Sequence, residues 1–161
     1  LDFSEFEPNR EQLIERCQQQ GVNAFIVPGV TLEQSKALIE FAKRYSCVRI
    51  GAGLHPYFLS EYLDENLAKL TKFAHHHRDT IIAIGECGID RSIDDLALQI
   101  HIFEYQIALA NQLQLPLIVH HRGEVQNPAH QSVPNTHHPF YVVGQECSYL
   151  PSLNNRSNHV R

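Results

Sequence analysis

Short apolar segments alternate with amphipathic helical segments along the first 122 residues of this chain. The strand-type segments are Ala24–Val27, Val48–Leu54, Ile81–Ile84 and Pro116–Val119. The first helix-type segment is Arg10–Gln20, and the second starts at the capping box Thr31–Gln34. The third covers about residues 64–77, and the fourth is capped by Ser92–Asp95. This alternation predicts a parallel α/β sheet, either open and doubly wound or closed into a barrel. No glycine-rich fingerprint follows a strand, which argues against dinucleotide binding.

The apolar spacing of two helices indicates which faces they bury. The residues predicted to face the core are Leu38, Phe41, Ala42 and Tyr45 in the second helix and Leu96, Ile100, Phe103, Ile107 and Ala110 in the fourth.

Composition narrows the functional classes. The chain has 161 residues, 43% apolar and 19% charged, with a formal net charge of −5, which is typical of a globular domain and not of a basic nucleic-acid-binding module. A nucleic acid partner would therefore require local contacts and a metal ion. Four widely spaced cysteines favour a reduced, cytoplasmic setting, and no apolar run predicts a membrane span. Because the chain starts at Leu1 and contains no Met, we expect residues to precede it.

Three strand-type segments lead into residues that can bind a metal or a phosphate: His55, Glu86 and His120. The carboxyl ends of parallel strands lie on one side of the sheet, so we expect these side chains to approach one another. A carboxylate at the end of a buried strand needs a positive partner, and for Glu86 this is either a metal ion or a structural salt bridge to Arg or Lys.

Other polar groups are weaker candidates. The run His75–His77 lies at a helix end, where successive side chains diverge, and Asp94 and Asp95 fit helix capping better than catalysis. No base in the sequence is placed to activate Cys87. The pair His137 and His138 lies in a tail of different composition.

Three motifs resemble those of the TatD family of metal-dependent deoxyribonucleases. They are Gly53-Leu-His-Pro56, Gly85-Glu-Cys-Gly-Ile-Asp90 and Pro116-Leu-Ile-Val-His-His-Arg122, and the helix carrying Gln99, Phe103, Gln106 and Ala110 also fits. The resemblance implies a (β/α)8 TIM barrel, here incomplete, that hydrolyses DNA phosphodiester bonds. It implies divalent metal ions, with Mg²⁺ first and Mn²⁺ or Zn²⁺ as alternatives. Glu86 and His120 match metal ligands, while His55 and Arg122 match positions that contact the substrate phosphate.

The chain also departs from the family pattern. The family opens with a first strand carrying His-x-His, and this chain begins just after that motif. No match to the later metal-binding His or to the catalytic Asp is found, so no catalytic residue is assigned. Residues 1–122 are therefore predicted to form a partial barrel, and residues 123–161 a tail that is poorly ordered or unrelated, with a possible strand at Tyr141–Val143.

The sequence leaves two alternatives open. The first is a truncated, non-catalytic product of such an enzyme, and the second is a related hydrolase of the amidohydrolase type. A carbamylated Lys at a strand end would favour the second, but no strand-type segment here ends in Lys. Because only two metal ligands are matched, we expect the chain by itself to hydrolyse DNA weakly or not at all.

Overall fold

The computed structural model of the chain describes residues 1–59, 65–123 and 141–143. The helices are α1 (Arg10–Gln19), α2 (Leu32–Arg44), α3 (Glu65–His76) and α4 (Leu96–Leu113), with short 3-10 helices at Ser4–Asn9 and Pro56–Phe58. The strands are β1 (Phe25–Pro28), β2 (Val48–Ala52), β3 (Ile81–Asp90), β4 (Leu117–Arg122) and β5 (Tyr141–Val143).

The five described strands form one parallel sheet in the order β1-β2-β3-β4-β5. Each strand pairs with the next one along the chain, as in a barrel, whereas a doubly wound sheet reverses its order at a switch point. The core fills the space between this sheet and the helices, and its fully buried members include Leu38, Ile50, Leu70 and Ile84. Within the described residues, no helix is long and apolar enough to cross a membrane.

The third strand is longer than the sequence indicates. It was predicted to stop at Ile84, but β3 continues to Asp90. Its pairing with β4 shifts register between Ile84 and Cys87 and then resumes. The resumed pairing requires Gly88, because a Cβ there would lie 2.0 Å from the carbonyl oxygen of His120. Glu86 therefore lies at an irregularity inside the strand and not at its exit.

The buried face of α4 also differs from the prediction. Phe103, Ile107 and Ala110 are buried as expected, but Leu96 is 39% exposed and Ile100 only partly buried. The remaining buried positions are Gln99, Ile102, Gln106, Leu109 and Leu113. This helix packs against both β3 and α3, so its buried surface is wider than a single apolar stripe. In α2, Leu38 is buried while Phe41 and Ala42 are partly buried, as is Tyr45, which directly follows the helix.

The predicted helix starts are present. Thr31 Oγ1 accepts a hydrogen bond from the Gln34 backbone N–H at 3.1 Å, and the Asp95 carboxylate accepts one from Leu98 N–H at 3.1 Å. Asp95 therefore caps α4, as expected from its position.

The predicted tail is described only in part. Tyr141–Val143 forms the anticipated strand and pairs in parallel with Ile118–His120 of β4. Residues 124–140 and 144–161, which include His137 and His138, lie outside the described residues, so the prediction for them stays a prediction.

Candidate metal centre

The side chains of His55, Glu86 and His120 meet at the carboxyl edge of the sheet. His55 follows β2, Glu86 lies in β3 and His120 in β4. Each offers a ligand atom, and these atoms all lie within 4.8 Å of one another. Their mutual approach, which the sequence predicted from strand ends alone, follows from the parallel order of β2, β3 and β4.

Two imidazoles flank the Glu86 carboxylate. Oε1 of Glu86 lies 3.4 Å from Nδ1 of His120 and 3.6 Å from Nε2 of His55. Hydrogen bonding from His120, and then from His55, lowers the pKa of Glu86 to about 2 against the opposing effect of burial. In the described part of the chain no Arg or Lys lies within 4.0 Å of this carboxylate, so the alternative of a structural salt bridge to such a residue is wrong there.

The second nitrogen of His120 is bound to Asp90. Nε2 of His120 lies 3.0 Å from Oδ2 of Asp90, whose other oxygen accepts hydrogen bonds from the backbone N–H and hydroxyl of Ser92 at 2.9 and 2.6 Å. Glu86 first, and Asp90 second, raise the pKa of His120, while burial opposes them. Burial also works against ionisation of Asp90, but the hydrogen bonds from Ser92 and His120 outweigh it and lower the pKa of this carboxyl.

Sequence reasoning missed Asp90 as a site residue. The signal was available, because Glu86, Gly88 and Asp90 alternate along β3 and so share one face of the sheet. The shortened strand prediction, which stopped at Ile84, concealed this alternation.

His55 differs from His120 in the hydrogen bond that its Nδ1 makes. Nδ1 of His55 accepts a hydrogen bond from the Tyr57 backbone N–H at 3.0 Å. A neutral imidazole has one lone pair for such a bond, so its proton resides on Nε2, the atom that faces Glu86. By distance alone, His55 belongs with Glu86 and His120 to the group of possible metal ligands. The hydrogen bond to Nδ1 instead makes Nε2 a donor, and a ligand nitrogen needs a free lone pair, so His55 is placed to donate a hydrogen bond and not to bind a metal.

Main-chain carbonyls of the loop after β1 accept hydrogen bonds at the carboxyl edge of the sheet. The Glu86 N–H donates to the carbonyl of Gly29 at 3.0 Å, and the His55 N–H donates to that of Val30 at 2.9 Å. The backbone of both site residues is therefore tied to one loop.

Two buried glutamines of α4 hold the backbone beside the site. Gln106 accepts from Leu54 N–H at 2.8 Å and donates to Leu54 C=O at 3.1 Å, directly before His55. Gln99 makes the corresponding pair of bonds with the backbone of Asp90, at 2.8 and 3.1 Å. Both amides are almost fully buried. Each glutamine thus provides hydrogen-bond partners for one buried N–H and one buried C=O next to the site, which would otherwise have none.

Arg122 lies at the end of β4. Strand alternation places it on the same face as His120, and its side chain is exposed. Cys87 is fully buried, and burial raises the pKa of its thiol, so it is no nucleophile.

The donor set fits a metal ion. Metal-bound histidines usually donate their second N–H to a carboxylate, which fixes the ring, and His120 has this arrangement with Asp90. Nδ1 of His120 and the ionised Glu86 carboxylate then face the same small space. Glu86 and His120 together offer one oxygen and one nitrogen atom to an ion in that space.

We expect Asp90→Asn to weaken Mn²⁺ binding by about 10- to 100-fold, because the ring of His120 loses its anionic partner. Titration of the chain with Mn²⁺, followed by electron paramagnetic resonance of the free ion, measures this. Asp79→Asn, an exposed position after α3, is the matched control. Equal affinity of the Asp90 variant and the control would show that Asp90 does not orient a ligand.

A parallel sheet in sequential order, with imidazole and carboxylate groups at the carboxyl ends of its strands, is typical of barrel-type metal-dependent hydrolases. The sequence model of the TatD related DNases matches residues 1–138. The chain belongs to this TatD family. The match continues 16 residues beyond the boundary expected at residue 122, from 122 to 138.

Curated relatives and solved structures agree with this assignment. The 3′-5′ ssDNA/RNA exonuclease TatD of Cronobacter sakazakii is 37% identical over 124 residues, covering 76% of this chain and 46% of the relative. The metal-dependent hydrolase YjjV of Escherichia coli is 31% identical over 124 residues. The crystal structure of YjjV superposes with a TM-score of 0.69, covering 75% of this chain and 48% of that one.

A TatD family hydrolase from Entamoeba histolytica, 24% identical with a TM-score of 0.60, shares the fold. These superpositions confirm the predicted incomplete barrel. The chain spans about half the length of the curated relatives it matches.

Proposed function

We propose that this chain carries part of the active site of a metal-dependent nuclease that hydrolyses phosphodiester bonds in single-stranded DNA or RNA. The observation that carries the proposal is the position of His120, whose ring lies between Glu86 and Asp90. This arrangement is what a metal-binding histidine requires, and the matched relatives named TatD are described as 3′-5′ ssDNA/RNA exonucleases.

The roles of the residues follow from their protonation and placement. Glu86 is ionised and would supply an anionic oxygen ligand. Nδ1 of His120, which donates to Glu86 in this structure, would supply a nitrogen ligand once an ion displaces its proton, while Asp90 holds the proton on Nε2. A divalent ion bound there supplies Lewis acidity and neutralises charge on the phosphate. Nε2–H of His55 donates to a phosphate oxygen, and the exposed guanidinium of Arg122 binds the phosphate as a planar fork.

The donor atoms indicate which metals should be tested. Mg²⁺ was the first expectation, but it prefers an all-oxygen environment, whereas imidazole suits Zn²⁺ and related transition metals. The pair of Glu86 and His120 is a mixed oxygen and nitrogen set. The mixed set therefore keeps Mn²⁺ and Zn²⁺, the two alternatives given by the family resemblance, beside Mg²⁺ as the metals to test.

The proposed location is a reducing compartment such as the cytoplasm. Among the described residues the three cysteines, Cys17, Cys47 and Cys87, are free thiols. Free cysteines that persist unpaired are typical of reducing surroundings.

The hydrolytic function is tested with a chimera. Residues 1–122 of this chain replace the matched region of the Cronobacter sakazakii exonuclease, and shortening of a 5′-labelled single strand from its 3′ end is followed with Mg²⁺, Mn²⁺ or Zn²⁺. We expect hydrolysis that depends on the metal and stops in EDTA, and little hydrolysis by the unmodified chain. A chimera that folds with a cooperative thermal transition but does not shorten the strand with any of the three metals would overturn the proposal.

A further inference from the structure

Two large aromatic side chains beside the site are exposed to solvent. Tyr57 is 66% exposed and Phe58 is 48% exposed, both on the 3-10 helix Pro56–Phe58 directly after His55. Their ring centroids are 5.2 Å apart at an interplanar angle of 72°. Adjacent exposed aromatic rings form an apolar surface that is usually reserved for a binding partner.

The aromatic pair is held in a fixed position relative to the candidate metal centre. The Phe58 N–H donates to the His55 carbonyl at 3.0 Å, and the Tyr57 N–H donates to the ring of His55 at 3.0 Å. The ring of His55 lies edge-on to Phe58 at 6.0 Å and to His120 at 4.3 Å. A continuous row of rings therefore leads from the metal centre to the exposed pair.

The charges around the pair indicate what kind of group it receives. A cavity of about 350 Å³ opens beside Tyr57 and is lined by Pro56, Leu59, Asp94 and Asp95 among others. The two carboxylates repel a phosphate, so the phosphate belongs at the metal centre and at Arg122. An uncharged, flat and apolar group suits the space next to the aromatic pair, and a nucleobase has these properties.

We propose that Tyr57 and Phe58 form a stacking surface for one base of a single-stranded nucleic acid whose adjoining phosphate lies at the metal centre. This inference rests on the proposed function and adds the recognition of unstacked bases to it. Stacking on aromatic rings tolerates any sequence because every base has a π-face. It also selects single strands, because a base paired and stacked within a duplex does not reach the rings.

The experiment separates stacking from phosphate binding. A short thymidine oligonucleotide and an abasic oligonucleotide with the same phosphates are titrated into the chain with Mg²⁺ present, and their unchanged length afterwards shows that hydrolysis does not contribute. Binding is followed by the NMR ring-proton signals of Tyr57 and Phe58. We expect upfield ring shifts with the thymidine oligonucleotide, and about 5-fold or greater preference for it over the abasic one.

Variants assign the preference to the rings. Phe58→Ala and Tyr57→Ala should each reduce the thymidine preference, whereas Phe58→Trp should keep it. Phe6→Ala is the matched control, because Phe6 is also exposed, at 38%, but lies on the separate 3-10 helix Ser4–Asn9. Equal affinity of the unmodified chain for both oligonucleotides would overturn the inference, as would unshifted ring signals at the highest concentration. Neither result would bear on the proposed hydrolytic function, which the chimera tests independently.

Discussion

Replacement of Glu86 by Gln is expected to weaken Mn²⁺ binding by about 100-fold or more, since loss of an outer partner of a ligand alone costs 10- to 100-fold. Glu86 supplies the negative charge of the site, and its pKa of about 2 means that this charge is present throughout the neutral range. A glutamine preserves the size of the side chain but removes the anionic oxygen. The free Mn²⁺ signal in electron paramagnetic resonance reports the change directly on the chain as it stands.

The control for this measurement is Glu104→Gln, an exposed position on α4. Both variants lose one negative charge, so any general electrostatic attraction of the ion falls equally in the two. In the chimera, Glu86→Gln should also remove most of the metal-dependent hydrolysis. If the Glu86 and Glu104 variants bind Mn²⁺ equally, Glu86 is not a ligand and the proposed metal centre is wrong.

Replacement of Gln106 by Met is expected to destabilise the chain by about 2–6 kcal/mol. Methionine has nearly the same length, but it leaves the N–H and C=O of Leu54 without partners in a buried position. Each unsatisfied buried polar group costs about 1–3 kcal/mol. Because domains are stable by only about 5–15 kcal/mol, this single change removes a substantial part of the free energy of unfolding. Urea unfolding followed by circular dichroism gives the difference.

Gln112→Met provides the comparison, because Gln112 is an exposed glutamine of the same helix. It should shift the unfolding midpoint little. A Gln106→Met chain that unfolds at the same urea concentration as the Gln112 variant would show that the two main-chain bonds of Leu54 are replaced, for example by water. Gln99 makes equivalent bonds to Asp90, so the same reasoning applies at that end of α4.

Sequence patterns predicted most residues of the candidate metal centre. Short apolar runs and capping residues predicted the order of helices and strands, and polar residues after consecutive strands predicted that His55, Glu86 and His120 approach one another. Such signals are present in short stretches of sequence, because a strand covered on both faces is apolar throughout, whatever the rest of the fold. The family resemblance added the barrel and the metal, which the superposition on YjjV and the family match support.

Other features depend on contacts between residues distant in sequence. The extension of β3 through Glu86 to Asp90 depends on its renewed pairing with β4. The two strands are far apart in sequence, since the contacting residues Cys87 and Ile118 are separated by 31 positions. The burial of Gln99 and Gln106 on an otherwise apolar helix face is explained only by the main-chain groups they meet across the fold.

Sequence by itself determined which residue types stand at the ends of the strands, and therefore that this edge carries imidazole and carboxylate groups. Tertiary structure decided what each of them does. His55 and His120 are chemically the same side chain, yet a backbone N–H occupies Nδ1 of one while a buried carboxylate fixes Nε2 of the other. Nε2 of one ring faces Glu86 as a donor, whereas the other ring has Nε2 held by Asp90 and turns Nδ1 toward Glu86, because hydrogen-bond partners set where a histidine carries its protons and those partners come from the folded chain.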